Sequence, residues 1–307
     1  MTSSTSDLLI IGLGPAAYTS AIYCARYNMS VKLIGAQPGG QMGASGEVEN
    51  YPGFLSIPGQ ELAQKMMDQA KENGAEIVFD TVDTLEKTPE GDFIVKGSIT
   101  GEHRTKSILL STGTKRRMLG VPGEGKFYGK GLTYCATCDG MFYKNLPVAV
   151  VGGGNSAAEA ALYLADICES VLVFIRKDRF RADGVLVDKI KKNPKITVEF
   201  GTEIAEVQGD AKMERVILTN GETREIRGLF IEIGANPENT LAKQLGLELD
   251  PEGYIVVDSG QRTKIPGVFA AGDNTTASEK FAQNATAVGE GAIAAKAAHE
   301  FYQHSGA

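Results

Sequence analysis

A short apolar run that leads into a glycine-rich turn occurs twice in this chain, and this repeat limits the fold more than any other feature. In the first copy, Leu8–Ile11 precedes residues 12–17, GLGPAA. In the second copy, Pro147–Val151 precedes residues 152–157, GGGNSA. A helix-like segment and a second apolar strand follow each turn, which is the context of a dinucleotide-binding fingerprint. One copy alone is weak evidence, since many strand-to-helix turns contain glycine, but two copies form an internal repeat of βαβ units.

The repeat predicts an α/β fold with two Rossmann-like (three-layer ββα type) dinucleotide-binding domains. At 307 residues, the chain has the length expected of two domains. Residues 114–123 are basic and rich in Gly and Pro, so we place a crossing between the domains there.

The remaining elements are predicted from hydrophobic periodicity. Residues 58–73 and 285–302 predict helices, the first amphipathic and the second rich in alanine. Residues 77–85, 93–97 and 106–110 predict a small β-meander. Further β-structure is expected at residues 196–207, 213–218, 229–233 and 253–257, and the final strand ends in Gly272-Asp273.

In the first fingerprint, Gly12 suits a tight turn, and Gly14 suits close approach of the backbone to a pyrophosphate at a helix N-terminus. The acidic residue that usually grips a ribose after the second strand is missing, because Gly35-Ala36-Gln37 occupy that place.

The second fingerprint differs at the corresponding place, where a basic cluster follows the strand 170–175. Arg176, Lys177 and Arg181 stand where an NAD-binding unit would have its acid. They predict charge-assisted binding of the 2′-phosphate of NADP. The alternative is a basic, solvated face with no ligand.

Between the two fingerprints, just upstream of the second, lies a C-x-x-C followed by an acid: Cys135, Cys138 and Asp139. Two sulfurs at this spacing can form a reducible disulfide, and the carboxyl can carry the proton that thiol-disulfide exchange needs. A structural zinc site is disfavoured, since there is no second C-x-x-C and the three histidines are scattered. We therefore predict no metal, and we expect the other two cysteines, Cys24 and Cys168, to be buried helix residues.

Charge and hydropathy exclude several classes of protein. The net charge is −7 with no long basic run, which disfavours nucleic acids and anionic membranes as partners. No apolar stretch approaches the ~20 residues of a membrane-spanning helix. The first seven residues lack the basic start of a signal peptide, so we expect a cytoplasmic protein.

With both fingerprints, the CATCD loop and the AAGD strand end in view, the chain resembles the low-molecular-weight thioredoxin reductases over essentially its whole length. The resemblance implies an FAD-binding domain, residues 1–115 and 247–307, split around an inserted NAD(P)H-binding domain, residues 116–246, that carries the redox pair. It also implies a homodimer and, as partner, thioredoxin or a thioredoxin-like protein.

The resemblance implies a set of cofactor contacts. For FAD the matching residues are Gly12, Gly14, Pro15, Ala16, Gln37, Gly40, Gln41, Asn50, Val82, Thr112, Gly113, Asp273, Gln283 and Asn284. For NADPH they are Gly152, Gly154, Asn155, Ser156, Ala157, Arg176, Lys177 and Arg181. Two positions depart from the family pattern: Ile175 replaces a histidine of the basic motif, and Ala282 replaces an arginine near the flavin.

The implied reaction carries two electrons from NADPH to FAD, then to the Cys135–Cys138 disulfide, and then to a disulfide of the partner protein, with Asp139 as acid and base. Three alternatives remain open. One is a reductase of the same fold that uses ferredoxin or another donor, and another is a flavin-dependent dithiol oxidase of a small metabolite. The third, from a different class, is a non-catalytic dinucleotide sensor.

Overall fold

The structure is a computed structural model that describes residues 5–45 and 47–305, and contacts within it divide the chain into two units. Unit 1 contains the residues up to Lys115 and those from Asn236 onward, whereas unit 2 contains Arg116–Ala235. The chain leaves unit 1 once and returns to it once, so unit 2 is an insertion, as the sequence predicts.

The first part of unit 1 alternates strands and helices and then forms a meander. Its elements are β1 (Leu8–Ile11), α1 (Pro15–Arg26), β2 (Val31–Gly35), α2 (Gly40–Ala44), β3 (Glu47–Val48), β4 (Ile57–Pro58), α3 (Gly59–Glu72), β5 (Glu76–Phe79), β6 (Val82–Lys87), β7 (Phe93–Gly97), β8 (Gly101–Thr105), β9 (Ile108–Leu110) and β10 (Thr114–Arg116).

Unit 2 repeats this plan. Its elements are α4 (Glu124–Phe127), β11 (Leu132–Thr133), α5 (Ala136–Asp139), a 3₁₀ turn (Gly140–Tyr143), β12 (Pro147–Val151), α6 (Asn155–Ile167), β13 (Ser170–Ile175), α7 (Gly184–Lys192), β14 (Ile196–Phe200), β15 (Ile204–Gly209), β16 (Met213–Leu218), β17 (Thr223–Glu225) and β18 (Gly228–Ile231).

The chain then returns to unit 1. The last elements are β19 (Ala235–Pro237), α8 (Thr240–Gln244), β20 (Val268–Ala270), a 3₁₀ turn (Ala277–Lys280) and α9 (Asn284–Ser305).

Each unit is built on a five-stranded parallel sheet. The strand order is β20-β9-β1-β2-β5 in unit 1 and β11-β18-β12-β13-β14 in unit 2. Strand β1 is buried at all four residues, as expected of a parallel strand covered on both faces. A three-stranded antiparallel sheet accompanies each, β6-β7-β8 and β15-β16-β17. The parallel sheet and the antiparallel sheet of each unit confirm the predicted α/β fold with two Rossmann-like domains.

Helix α9 covers the sheet of unit 1 through close contact with α1. A Cβ on Gly291 would lie 2.4 Å from the carbonyl oxygen of Ala16, so only glycine lets the two backbones approach this far. The hydroxyl of Ser20 donates to the carbonyl of Gly291 across the same contact at 2.8 Å. Among the described residues, no helix is long and apolar enough to cross a bilayer.

The predicted strand over residues 77–85 is wrong, because the chain changes sheet at Asp80. Strand β5 joins the parallel sheet and β6 joins the antiparallel sheet. Between them Asp80 is only 2 % exposed, and its carboxylate accepts the N–H groups of Thr81, Ile99 and Thr100 at 2.7–3.2 Å. These bonds stabilise a turn that hydrophobic periodicity does not reveal.

Other strand predictions also need correction. Residues 106–110 do not belong to the meander, since β9 pairs in parallel with β1 and β20. Residues 196–207 form two strands that join different sheets. Residues 253–257 make only isolated bridges at Ile255, and α7 is missing from the sequence-based expectations.

The predicted return to unit 1 at residue 247 is about ten residues late. Contacts place the chain in unit 1 from Asn236 onward. The reason is α8, where the Gln244 side chain accepts the N–H of Leu85 at 2.9 Å and donates to the carbonyl of Asp83 at 3.0 Å. Leu241 joins the apolar core beside β9.

Candidate active site

The two glycine turns have the same backbone geometry. Gly12 and Gly152 have positive φ angles of 128° and 148°, and a Cβ on either would lie 2.2 Å from a carbonyl oxygen of the neighbouring strand end. Gly14 and Gly154 directly precede α1 and α6, and a Cβ on either would meet nothing within 4 Å. Open space at a helix N-terminus suits a phosphate group, so both turns fit a dinucleotide.

Several of the FAD candidates in unit 1 lie near one another. The Gln37 amide donates to the carbonyl of Gly40 at 3.2 Å, and a Cβ on Gly40 would lie 3.4 Å from the Cα of Gly14. The Asn50 amide donates to the Gln283 side chain at 3.0 Å. Gly40 therefore lies beside the first glycine turn, and Asn50 lies beside the residue that precedes α9.

Other FAD candidates lie next to strands β9 and β10 of unit 1. Thr112 donates to the carbonyl of Glu238 at 2.7 Å, and Gly113 has a φ of 64° that favours glycine. The Gln41 amide donates to the carbonyl of Thr114 at 2.9 Å. Val82 is half-buried at the start of β6 and stays a sequence-based prediction.

Glu290 in α9, a residue that is 5 % exposed, is not identified by any motif in the sequence. It accepts the N–H of Gly272 at 2.7 Å, next to the candidate Asp273, and burial raises its pKa. One signal was present, since Glu290 is the first acidic residue in an otherwise small and apolar stretch of α9.

In unit 2 the basic segment folds back over the second glycine turn. The N–H of Arg181 donates to the carbonyl of Gly153 at 2.6 Å. The Asn155 side chain accepts the N–H of Asp183 at 2.8 Å and donates to its carboxylate at 3.1 Å. These bonds bring the cationic side chains to the end of β13, where they are exposed: Arg176, Lys177, Arg179 and Arg181.

The predicted redox pair forms a disulfide between Cys135 and Cys138. Strand β11 delivers the chain to this point, and α5 begins directly after Cys135. The Cys135 sulfur accepts the N–H of Cys138 at 3.2 Å, and both cysteines are half-buried. A disulfide on a short helical turn is accessible to an attacking thiolate from outside.

Asp139 lies in the same turn and accepts a hydrogen bond from the Thr133 hydroxyl. Burial raises the pKa of Asp139, against the opposing effects of the Thr133 hydroxyl and the Arg116 guanidinium. A carboxyl with a raised pKa can hold a proton nearer neutral pH and release it to a thiolate.

Arg116 and Glu232 form part of the same cluster, and neither was predicted from the sequence. The Arg116 guanidinium donates to the carbonyl of Tyr134, and the Glu232 carboxylate accepts the N–H of Ala136. Both groups thus touch residues adjoining the cysteines. Arg116 lies about 20 residues before the cysteine loop and Glu232 about 95 after it, so no local motif identifies them.

A buried carboxyl also anchors the residue before Cys135. Glu124 is 4 % exposed, accepts the Tyr134 hydroxyl at 2.5 Å, and accepts the N–H groups of Leu119 and Gly120 at 2.7 and 2.8 Å. Burial raises the pKa of Tyr134, which keeps this phenol a donor. Glu124 thereby links the segment between the domains, residues 114–123, to the residue that precedes Cys135 by hydrogen bonds.

The two other cysteines are buried and unpaired with each other. Burial raises the pKa of the Cys24 thiol to about 12 and that of Cys168 to about 11. Both therefore stay protonated at neutral pH and are poor nucleophiles. Across residues 5–45 and 47–305, no group of three or more His, Cys, Asp or Glu side chains could hold a metal ion.

Comparison with known proteins gives consistent results. Residues 6–291 match the family model of the pyridine nucleotide-disulphide oxidoreductases. The chain is 42 % identical to a thioredoxin reductase of Rickettsia conorii, covering 97 % of this chain and 98 % of that one. It is 37 % identical to a thioredoxin reductase of Listeria monocytogenes, with 97 % and 94 % covered. A crystal structure of thioredoxin reductase from Streptococcus pyogenes superposes with a TM-score of 0.92 at 37 % identity, covering 99 % of this chain and 100 % of that chain.

Proposed function

Because this chain belongs to the pyridine nucleotide-disulphide oxidoreductase family, we propose that it is an NADPH-dependent thioredoxin reductase. It is an FAD-dependent oxidoreductase that acts on sulfur groups. Its substrates are NADPH and the disulfide of a thioredoxin or thioredoxin-like protein.

One observation supports this function above all others: the Cys135–Cys138 disulfide lies beside Asp139, whose pKa is raised by burial. The pair can accept two electrons and release them to another disulfide, and the carboxyl can supply the proton. A dinucleotide sensor would need neither group.

FAD would be held in unit 1 by the glycine turn at Gly12 and Gly14, with the groups at Asn50, Asp273 and Gln283 around it. When bound, the flavin supplies electron transfer between a nicotinamide and a disulfide. NADPH would be held in unit 2 at Gly154, with its 2′-phosphate against the basic segment 176–181, because exposed cations bind a phosphate by charge-assisted hydrogen bonds.

After reduction of the pair, the chain's own residues complete the transfer. The thiolate of Cys135 attacks one sulfur of the partner's disulfide and forms a mixed disulfide, and the other partner sulfur leaves as a thiolate. Cys138 then attacks Cys135, which re-forms the internal disulfide and releases the second partner sulfur. Asp139 donates its proton to a leaving thiolate. The assignment of Cys135 as the attacking sulfur rests on the family resemblance.

We also propose that the protein works in the cytoplasm as a homodimer. Two unpaired thiols, Cys24 and Cys168, suit a reducing compartment. The dimer rests on the family resemblance, and light scattering of the purified holoenzyme measures it directly.

Anaerobic mixing of the purified flavoprotein with NADPH or NADH tests the function. We expect NADPH to bleach the flavin absorbance much faster than NADH, and a catalytic amount of enzyme to reduce thioredoxin at the expense of NADPH. Bleaching by reduced ferredoxin alone would instead favour a ferredoxin-driven reductase. Oxygen uptake with a small dithiol and no activity on thioredoxin would favour the oxidase. A Cys138→Ser variant that still reduced thioredoxin would contradict the proposal.

A further inference from the structure

The sheet of unit 2 brings Glu232 alongside the redox loop. Strands β11 and β18 run in parallel with Leu132 opposite Leu229 and Thr133 opposite Phe230. Cys135 and Glu232 each lie two residues beyond the last paired residues, just after β11 and β18 end. The backbone of Glu232 is held there because its N–H donates to the carbonyl of Val151 at 2.8 Å.

The Glu232 side chain is half-buried. Its carboxylate accepts the N–H of Ala136, which acts to lower its pKa, and Ala136 is the residue directly after Cys135. Arg116 is the cation that acts on it, and the same guanidinium acts on Asp139. Asp139 in the redox loop and Glu232 beyond β18 thus interact with the same positive charge.

From this arrangement we propose that Glu232 is a positioning residue for the redox pair, which holds the start of the cysteine helix and binds a proton when the disulfide is reduced. The proposal rests on the proposed function only in taking Cys135 and Cys138 as a redox pair. It needs neither NADPH nor thioredoxin.

The charges around Glu232 explain why its proton responds to the state of the cysteines. Burial raises the pKa of Glu232 to about 7, Arg116 and the Ala136 N–H act to lower it, and Glu159 of α6 acts to raise it. Reduction breaks the S–S bond and can leave a thiolate beside this carboxyl. Two neighbouring negative charges repel, so Glu232 then binds a proton more tightly.

The direction in which Glu232 shifts the thiol-disulfide equilibrium follows from its charge at each pH. Below about pH 6 Glu232 is protonated whether the pair is oxidised or reduced, so its charge does not affect the equilibrium. Above pH 7 it is ionised beside the disulfide and opposes formation of the thiolate. Glutamine at this position keeps an acceptor for the Ala136 N–H but carries no charge at any pH.

The test is the thiol-disulfide equilibrium of the holoenzyme with dithiothreitol under argon, at pH 6 and pH 8. Two electrons pass from the dithiothreitol sulfurs to the cysteine sulfurs, one S–S bond breaks and one forms, and the protons released by dithiothreitol go to cysteine sulfurs, Glu232 or water. Alkylation of Cys135 and Cys138 followed by mass spectrometry gives the equilibrium constant.

We expect Glu232→Gln to leave this equilibrium constant unchanged at pH 6 and to raise it about threefold to tenfold at pH 8. Glu232→Asp, which retains a titrating group, should retain the wild-type pH dependence. Glu225→Gln, which removes an exposed carboxyl of β17, should match the wild type at both pH values.

An equal shift at both pH values would assign Glu232 a purely structural role and would overturn the proposal, as would no shift at either. Should Glu232→Gln fail to fold, Glu232→Ala, which also carries no charge at any pH, takes its place in the same comparison with the same expected and contradicting results. A pair that dithiothreitol cannot reduce in the wild type would instead contradict the proposed function.

Discussion

Gly152 and Gly154 occur two residues apart in one turn, and replacing each by alanine should affect a different property. Gly152→Ala should lower stability, and Gly154→Ala should weaken the binding of NADPH. A Cβ on Gly152 would lie 2.2 Å from the carbonyl oxygen of Glu232 and 2.8 Å from the Cβ of Ala157. Backbone and a helix side chain must both move. A Cβ on Gly154 would meet nothing within 4 Å.

The loss of stability expected for Gly152→Ala has two contributions. Overpacking of this kind costs about 1–3 kcal/mol, and a side chain at a positive φ costs about 1–2 kcal/mol more. Gly152→Ala should therefore lower the free energy of unfolding of unit 2 by about 2–5 kcal/mol. Gly154→Ala should leave stability nearly unchanged but place a methyl group where the pyrophosphate approaches, and so raise the KM for NADPH about tenfold or more.

Differential scanning calorimetry of the two flavoproteins measures the stability, and steady-state kinetics with NADPH measures the binding. Gly154→Ala is the matched control for size and location. If Gly152→Ala unfolded at the wild-type temperature, or if Gly154→Ala lost as much stability, the different surroundings of the two glycines would not govern their roles.

Three further outcomes are expected. Asp139→Asn should reduce turnover with thioredoxin about 10²–10⁴-fold while NADPH still bleaches the flavin at the wild-type rate; equal losses in both rates would contradict its role as acid. Arg176→Ala should raise the KM for NADPH but not for NADH, whereas Arg215→Ala, in an antiparallel strand of the same unit, should raise neither. Since hydrogen bonds, foremost that of the Thr100 hydroxyl, lower the pKa of Asp80 to about 2, its stabilising effect is present above about pH 4 and lost as the pH falls toward 2. Asp80→Asn should therefore remove this part of the acid sensitivity in a pH series of thermal unfolding.

Parts of the fold were predictable from sequence where a short glycine or cysteine motif lies within one segment. Both glycine turns, their strands and the C-x-x-C loop follow from residues adjacent in the chain. The break at Asp80 was not predictable, because the groups that bind its carboxylate come from Thr81 and from residues 99–100 on the next hairpin. Hydrophobicity continues across that turn and suggests one strand.

The residues of the candidate site also fall into two groups, those that a local motif identifies and those that only the fold brings together. Cys135, Cys138 and Asp139 are neighbours in sequence and in space. Arg116 and Glu232 lie near them only because β10 and β18 end near the cysteine loop. No short sequence motif predicts the order of strands in a sheet. Burial sets the direction of the Asp139 pKa shift and Arg116 opposes it, so the electrostatics of the site required the structure.

The entry and exit of unit 2 have a consequence for how such a chain arose. Strands β10 and β19 form a two-stranded ribbon, bracketed by bonds from the Glu238 N–H to Gly113 and from the Arg117 N–H to Gly234 at 2.9 and 3.0 Å. Because the insertion begins and ends side by side, a single genetic event at one surface hairpin could have added it. Cutting the ribbon and rejoining the host with a short linker should leave a minimal flavin-binding module, a natural starting point for building hybrid reductases.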